Sequence, residues 1–176
     1  MPVPIEIDVW QGEIAELEVD AIIVPANESL FMTLPVARSI RRVAGEAVER
    51  AAVDQGPIQP GTAVVTGGGN LAASYLIHAV AVGHELKASQ DELRSALNAA
   101  FEIAARLSLV RVALAPVGTE RGVFTPEESA AALVEVLQER RRSGDAIPMS
   151  LVVTVANANE AAAFRSATEA LRAAFR

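Results

Sequence analysis

Hydrophobic and polar residues alternate along the chain with two different periods. Val3, Ile5, Ile7 and Val9 lie on one side of an alternating pattern that ends at Trp10, the two-residue repeat of a half-buried strand. Ala21-Ile22-Ile23-Val24 is a continuous apolar run closed by Pro25, which predicts a strand buried on both faces. Over residues 38–53, Ile40, Val43, Ala44, Ala47, Val48 and Ala51 recur at three- and four-residue spacing, which predicts a helix. Residues 62–66 and 75–82 are rich in β-formers, and Gly67-Gly68-Gly69-Asn70 between them predicts a hairpin turn. Ser89, with Asp91 and Glu92 in the first turn, opens a helix expected to reach about residue 107. A buried strand is expected over residues 109–117. Thr125-Pro126-Glu127-Glu128 then combines an N-cap, a first-position proline and acids. That helix is expected to end in Arg140-Arg141-Arg142, ahead of Ser143-Gly144. Residues 150–155 form the last predicted strand. Asn159 is read as the cap of a final helix, with Ala163, Phe164, Ala167, Ala170, Leu171 and Ala174 inward.

Strands alternating with helices predict an α/β fold whose mixed, mostly parallel sheet of about six strands is sandwiched by helices. No repeat, heptad seam or low-complexity linker divides the chain, so residues 1–176 are read as a single domain. Ligands in such folds sit outside the carboxyl ends of the strands. The loops to watch therefore follow Val24, Val117 and Val155.

Composition narrows the chemistry. The chain has 176 residues, 51% apolar and 21% charged, with no apolar run of the ~20 residues that a membrane helix needs. The first eight residues carry acids and no basic region, so a cytoplasmic protein without membrane contact is expected. The absence of cysteine excludes disulfides, thiolate metal sites and cysteine nucleophiles. Only His78 and His84 could supply imidazole, and no metal or cofactor is expected. A formal charge of −7 disfavours general nucleic-acid binding but leaves room for a small anion held by backbone N–H groups. Lys87 is the only lysine, and the use of Arg and Ala points to a GC-rich genome.

Four segments carry a resemblance. Gly12-Glu13-Ile14 with Val19-Asp20-Ala21-Ile22-Ile23-Val24-Pro25-Ala26-Asn27 is similar to an opening "G-D-I-T … V-D-A-I-V-N-A-A-N". Val36-Ala37-Arg38-Ser39-Ile40-Arg41-Arg42-Val43-Ala44-Gly45 is similar to "V-D-x-x-I-x-x-A-A-G". Residues 60–63 and 75–80 resemble "x-T-G-x-A … Y-V-I-H-x-V", and residues 115–124 resemble "P-A-I-G-T-G-x-G-G-x" followed by a helix start. In this order and at this spacing the chain resembles the macro domain family, over nearly its whole length.

That resemblance implies a crevice for ADP-ribose. Glu13 stands where the family's acid accepts from the adenine amino group, one methylene longer than the usual Asp, and Ile14 would line the adenine slot. The other reading of Glu13 is a surface acid at a turn. Asn27 matches the residue that contacts the distal ribose, against a structural role in the loop. Val36 belongs to the first ligand loop, which is glycine-rich in the family. Here it reads Met32-Thr33-Leu34-Pro35-Val36-Ala37, without a glycine. Ala37 replaces the hydrolase-branch acid and has no proton to transfer. In the second loop Gly118, Thr119 and Gly122 remain, whereas Glu120 and Val123 replace glycines. A carboxylate at 120 would repel a diphosphate if turned inward, and Arg121 could offset it; both could instead face solvent. Phe124 would pack on the ribose or in the core. Asn157 could reach the adenine or proximal ribose, but the strand end lacks an aromatic, with stacking of ~1–3 kcal/mol forgone. Trp10 is read as core or edge packing, His78 as a packed structural histidine.

These residues give three readings. A binding module for ADP-ribose or a related small nucleotide, without catalysis, comes first. A degenerate macro domain serving as a structural or oligomeric unit is second. An ADP-ribosyl hydrolase (the Appr-1″-p-processing type of activity) with an atypical site, using Glu28, is third. Leu30, Phe31, Met32 and Leu34 are expected to form an apolar rim that covers an emptied crevice or joins a second copy in a homo-oligomer.

Overall fold

A computed structural model describes residues 4–174. The strands are β1 (Glu6–Gln11), β2 (Ala21–Pro25), β3 (Thr62–Gly67), β4 (Tyr75–Val80), β5 (Arg111–Leu114) and β6 (Ser150–Val155). The helices are α1 (Pro35–Ala44), α2 (Glu46–Val53), α3 (Gln90–Arg106), α4 (Pro126–Ser143) and α5 (Ala158–Ala174), with a 3-10 turn at Ile14–Glu16. One sheet runs β1-β6-β5-β2-β4-β3. All neighbours are parallel except β3, which pairs antiparallel with β4 at the edge. This is the mixed, mostly parallel architecture expected from the alternating pattern.

The central run Ala21–Pro25 is wholly buried because helices cover both of its faces. On one face Phe101 of α3, Leu133 of α4 and Phe164 of α5 pack against Ile23, Ile77 and Val153. On the other, Ile14, Ile40 and Ala44 pack against Ile22, Leu76 and Val152. Burial of this kind contributes about 1.5–3 kcal/mol per large side chain. Capping fixes where helices start. Ser89 and Thr125 each accept from the third residue of their helix, Glu92 and Glu128, whose carboxylates return to the cap N–H. Gly144 ends α4 in the left-handed conformation.

Several boundaries differ from expectation. The helix predicted over 38–53 is two helices, broken at Gly45, which has φ 99° and ψ 159°. Its buried face is Ile40, Ala44, Val48 and Ala52, whereas Val43, Ala47 and Ala51 are exposed. The buried strand expected over 109–117 keeps its ladder only at Arg111–Leu114; Ala115, Pro116 and Val117 are buried beyond it. α5 starts two residues earlier than expected. Asn157 Oδ1 accepts from Glu160 N–H at 2.9 Å, so Asn157, not Asn159, is the cap. Ala170 faces solvent. Val3 and the burial of Ala174 lie outside the described residues.

Candidate functional site

The carboxyl ends of β5 and β6 open onto a crevice of about 580 Å3. Its walls are residues 11–14, the start of α1 with Ser39, Ala115, Pro116, Thr119 and Glu120, and the end of β6 with Glu160. Ile14 is buried in the wall, and Glu13 stands exposed at the mouth, where its Oε2 accepts from Ser39 Oγ at 3.3 Å. Glu13, Ile14, Val36, Thr119 and Glu120 thus meet around one space, as the sequence suggested. Trp10, 38% exposed, lays its indole across Gly12: a Cβ on Gly12 would fall 2.3 Å from the ring. That is edge packing, beside the crevice wall.

The first loop differs from the apolar rim expected. Leu30 and Met32 are 1% and 2% exposed, and Leu34 is half-buried against the α1 face. Only Phe31, 51% exposed, turns outward. The loop covers itself because polar contacts hold it. Asn27 Nδ2 donates to Phe31 O at 3.1 Å and Thr33 Oγ1 at 3.3 Å, while Asn27 Oδ1 accepts from Ser29 Oγ at 2.8 Å. Arg38 donates to Thr33 O, and Glu49 accepts from Met32 N–H at 2.7 Å and from Arg41 at 2.9 Å. Apolar pegs and a hydrogen-bonded frame replace glycines here. Asn27 lines the space behind the loop, but its amide is already engaged within the loop.

The second loop is closed by its own backbone. Gly122 N–H donates to Thr119 O at 3.0 Å and Phe124 N–H to Gly118 O at 3.1 Å. Gly118 has φ 86°, and a Cβ there would lie 2.5 Å from Phe124 Cδ2, so the ring packs directly on the glycine. Phe124 is buried core and does not face the crevice, and Val123 packs against the same core. Gly122 is exposed and lies outside the crevice wall. Glu120 turns inward. Its Oε1 accepts from Val36 N–H at 2.8 Å, across to α1. Its Oε2 is buried without a hydrogen-bond partner among the described residues. Burial pushes its carboxyl above the ordinary range; the Val36 bond opposes that, Glu160 adds to it and Arg121 opposes it. Beyond Glu120 lies a cavity of about 30 Å3, lined by Asn27, Leu34, Gly118, Glu120 and Arg121 among others. That is room for a water molecule.

A macro domain profile matches residues 23–133. The chain belongs to the macro domain family. Among related sequences, an Aquifex aeolicus protein is 36% identical over 135 residues, covering 76% of this chain and 82% of the relative. A Mycobacterium tuberculosis protein is 32% identical over 137 residues, and the match spans 78% of this chain but only 38% of that protein. Among solved structures, a Trypanosoma brucei macrodomain in complex with ADP-ribose superposes with a TM-score of 0.82 at 21% identity, covering 93% of this chain and 69% of that one. An Oceanobacillus iheyensis macrodomain with ADP gives 0.82 at 18%, covering 99% and 96%.

Within this macro domain, the positions considered for chemistry are occupied by groups held elsewhere. Ala37 is buried in the first turn of α1 and offers only a methyl. Glu28 lines neither the crevice nor the small cavity; its Oε2 accepts from His84 N–H at 3.2 Å in an adjoining hollow with Gln59 and Lys87. His78, 1% exposed, lies 2.9 Å from Thr66 Oγ1 and is structural. Asn157 is spent as a helix cap and does not line the crevice. Glu160, absent from the sequence expectations, does line it, with Oε2 accepting from Ala156 N–H at 2.8 Å. Its signal was available: an acid three residues into a helix that starts at a strand end.

Proposed function

We propose that this macro domain is a non-catalytic binding module for ADP-ribose or a related adenine nucleotide. One observation carries the reading: the crevice is open between Ile14, the exposed carboxylate of Glu13 and the ends of β5 and β6. The shape suits a flat base, an apolar slot with a hydrogen-bond acceptor at its mouth. The trypanosomal macrodomain that holds ADP-ribose supports the choice of ligand. A carboxylate at Glu13 accepts from an exocyclic amino group as an aspartate would. The non-catalytic part of the reading rests on Ala37, and on Glu28 pointing to His84.

Isothermal titration calorimetry against ADP-ribose, with ADP and AMP as comparators, tests this. Binding is expected to be weaker than about 1 μM, that is, less favourable than about −8 kcal/mol. Glu13→Ala should weaken it by about 0.5–1.5 kcal/mol, the worth of one hydrogen bond. No heat at millimolar ligand would overturn the reading and leave the fold as a structural unit. Release of ADP-ribose from a modified protein by the wild-type chain would overturn the non-catalytic half.

A further inference from the structure

The crevice is divided by one of its own side chains. Glu120 lines both the larger space of about 580 Å3 and the smaller one of about 30 Å3. It bridges from the 118–124 loop to the start of α1. Leu34, the cap residue there, provides no side-chain cap, and Pro35 has no N–H, so Val36 N–H is an early free donor of α1. Glu120 Oε1 takes that donor. An anion bound at the start of this helix would seek the same group. Glu120 Oε2 is left buried without a partner, which means that the contact with Val36 holds the side chain in at the cost of one unsatisfied oxygen.

Charge around the open space has the same sense. Among the described residues its lining includes three carboxylates, Glu13, Glu120 and Glu160, and no Lys or Arg. Arg121 lines only the small cavity behind Glu120. A phosphate entering beside Glu120 would meet like charge, while a neutral nucleoside against Ile14 would not.

We propose that Glu120 determines specificity in this crevice: its carboxylate occupies the seat for a ligand's phosphate, so an adenine nucleoside enters freely and a phosphate enters only by displacing Glu120. The proposal rests on the adenine-binding reading above and adds the residue that sets the ranking of ligands. A diphosphate that expels Glu120 gains Val36 N–H and the space behind it, where Arg121 stands.

The test is calorimetry of the wild type, Glu120→Gln and Glu120→Ala with adenosine, ADP, ADP-ribose and inorganic pyrophosphate. Neither variant touches the packed core, and circular dichroism with thermal melting checks that each is folded. Adenosine affinity should change far less than that of the nucleotides across the three proteins, because adenosine carries no phosphate to meet the Glu120 carboxylate. ADP and ADP-ribose should tighten by at least about tenfold in Glu120→Ala. The gain in Glu120→Gln should be smaller, since the amide removes the charge but still fills the space. Pyrophosphate should bind Glu120→Ala and not the wild type. The proposal is overturned if the nucleotides bind the wild type and Glu120→Ala alike, or if adenosine gains as much as ADP. If no adenine ligand binds any protein yet pyrophosphate distinguishes Glu120→Ala from the wild type, the adenine reading fails and the blocked anion seat stands. If pyrophosphate also fails to distinguish them, both fall.

Discussion

His78 shows how much one buried side chain can determine. Enclosed in β4 beside Thr66, it has its pKa lowered to about 4 by burial, from an ordinary 6.5. The folded state therefore keeps it neutral at a pH where the unfolded chain takes up a proton. Stability from this group is complete above pH 6.5 and is lost as the pH falls through the interval from 6.5 to about 4. At 1.36 kcal/mol per unit, the loss reaches about 3 kcal/mol. Urea unfolding of the wild type and His78→Asn at pH 7 and pH 4.5 should show this. The variant should be the less stable at pH 7, and the gap should narrow at pH 4.5. A gap independent of pH would mean that His78 does not stay neutral in the fold. Residue identity alone could not supply this value, because it depends on the helices that cover the sheet. It does supply the role: a histidine inside an apolar strand run reads as structural, and it is.

Among the elements, Gly45 separates what the sequence revealed from what it hid. Its φ of 99° with ψ of 159° falls in a region that essentially only glycine occupies. A Cβ there would meet nothing closer than Asn70 Nδ2 at 3.6 Å, so space is available and only the backbone conformation resists. Gly45→Ala should then cost about 1–3 kcal/mol in urea unfolding, without a change in cavity or contact. A cost near zero would mean that α1 and α2 fuse without penalty. The apolar spacing over 38–53 looks continuous because Ile40, Ala44, Val48 and Ala52 keep a common buried face through the break. Periodicity reports the face and is silent about the φ of a glycine within it. The caps at Ser89 and Thr125 were legible because their hydrogen bonds are local. Residues 115–117 read as strand because burial and strand look alike in an apolar run.

For the whole molecule, the six-strand sheet and the position of the crevice followed from alternation and the carboxyl-end rule: the segments after β5 and β6 line the crevice, and the loop after β2 lines the small cavity beside it. Which candidate residues gather at the crevice was legible in part. Glu13, Ile14, Val36, Thr119 and Glu120 do converge there. Phe124 and Asn157 do not, because ring packing on Gly118 and capping of α5 claim them. Which way Glu120 turns depended on Val36, 84 residues away in sequence, and no local pattern encodes such a pairing. The indole lying across Gly12 has a practical consequence. Trp10 is the chain's single tryptophan and Gly12 is in the crevice wall, so all of the protein's indole fluorescence arises within reach of its own site. Ligand entry that shifts Gly12 or excludes water from the ring should change the emission, and a Trp10→Phe chain should be silent under the same titration. Occupancy could then be followed by light from the unlabelled protein.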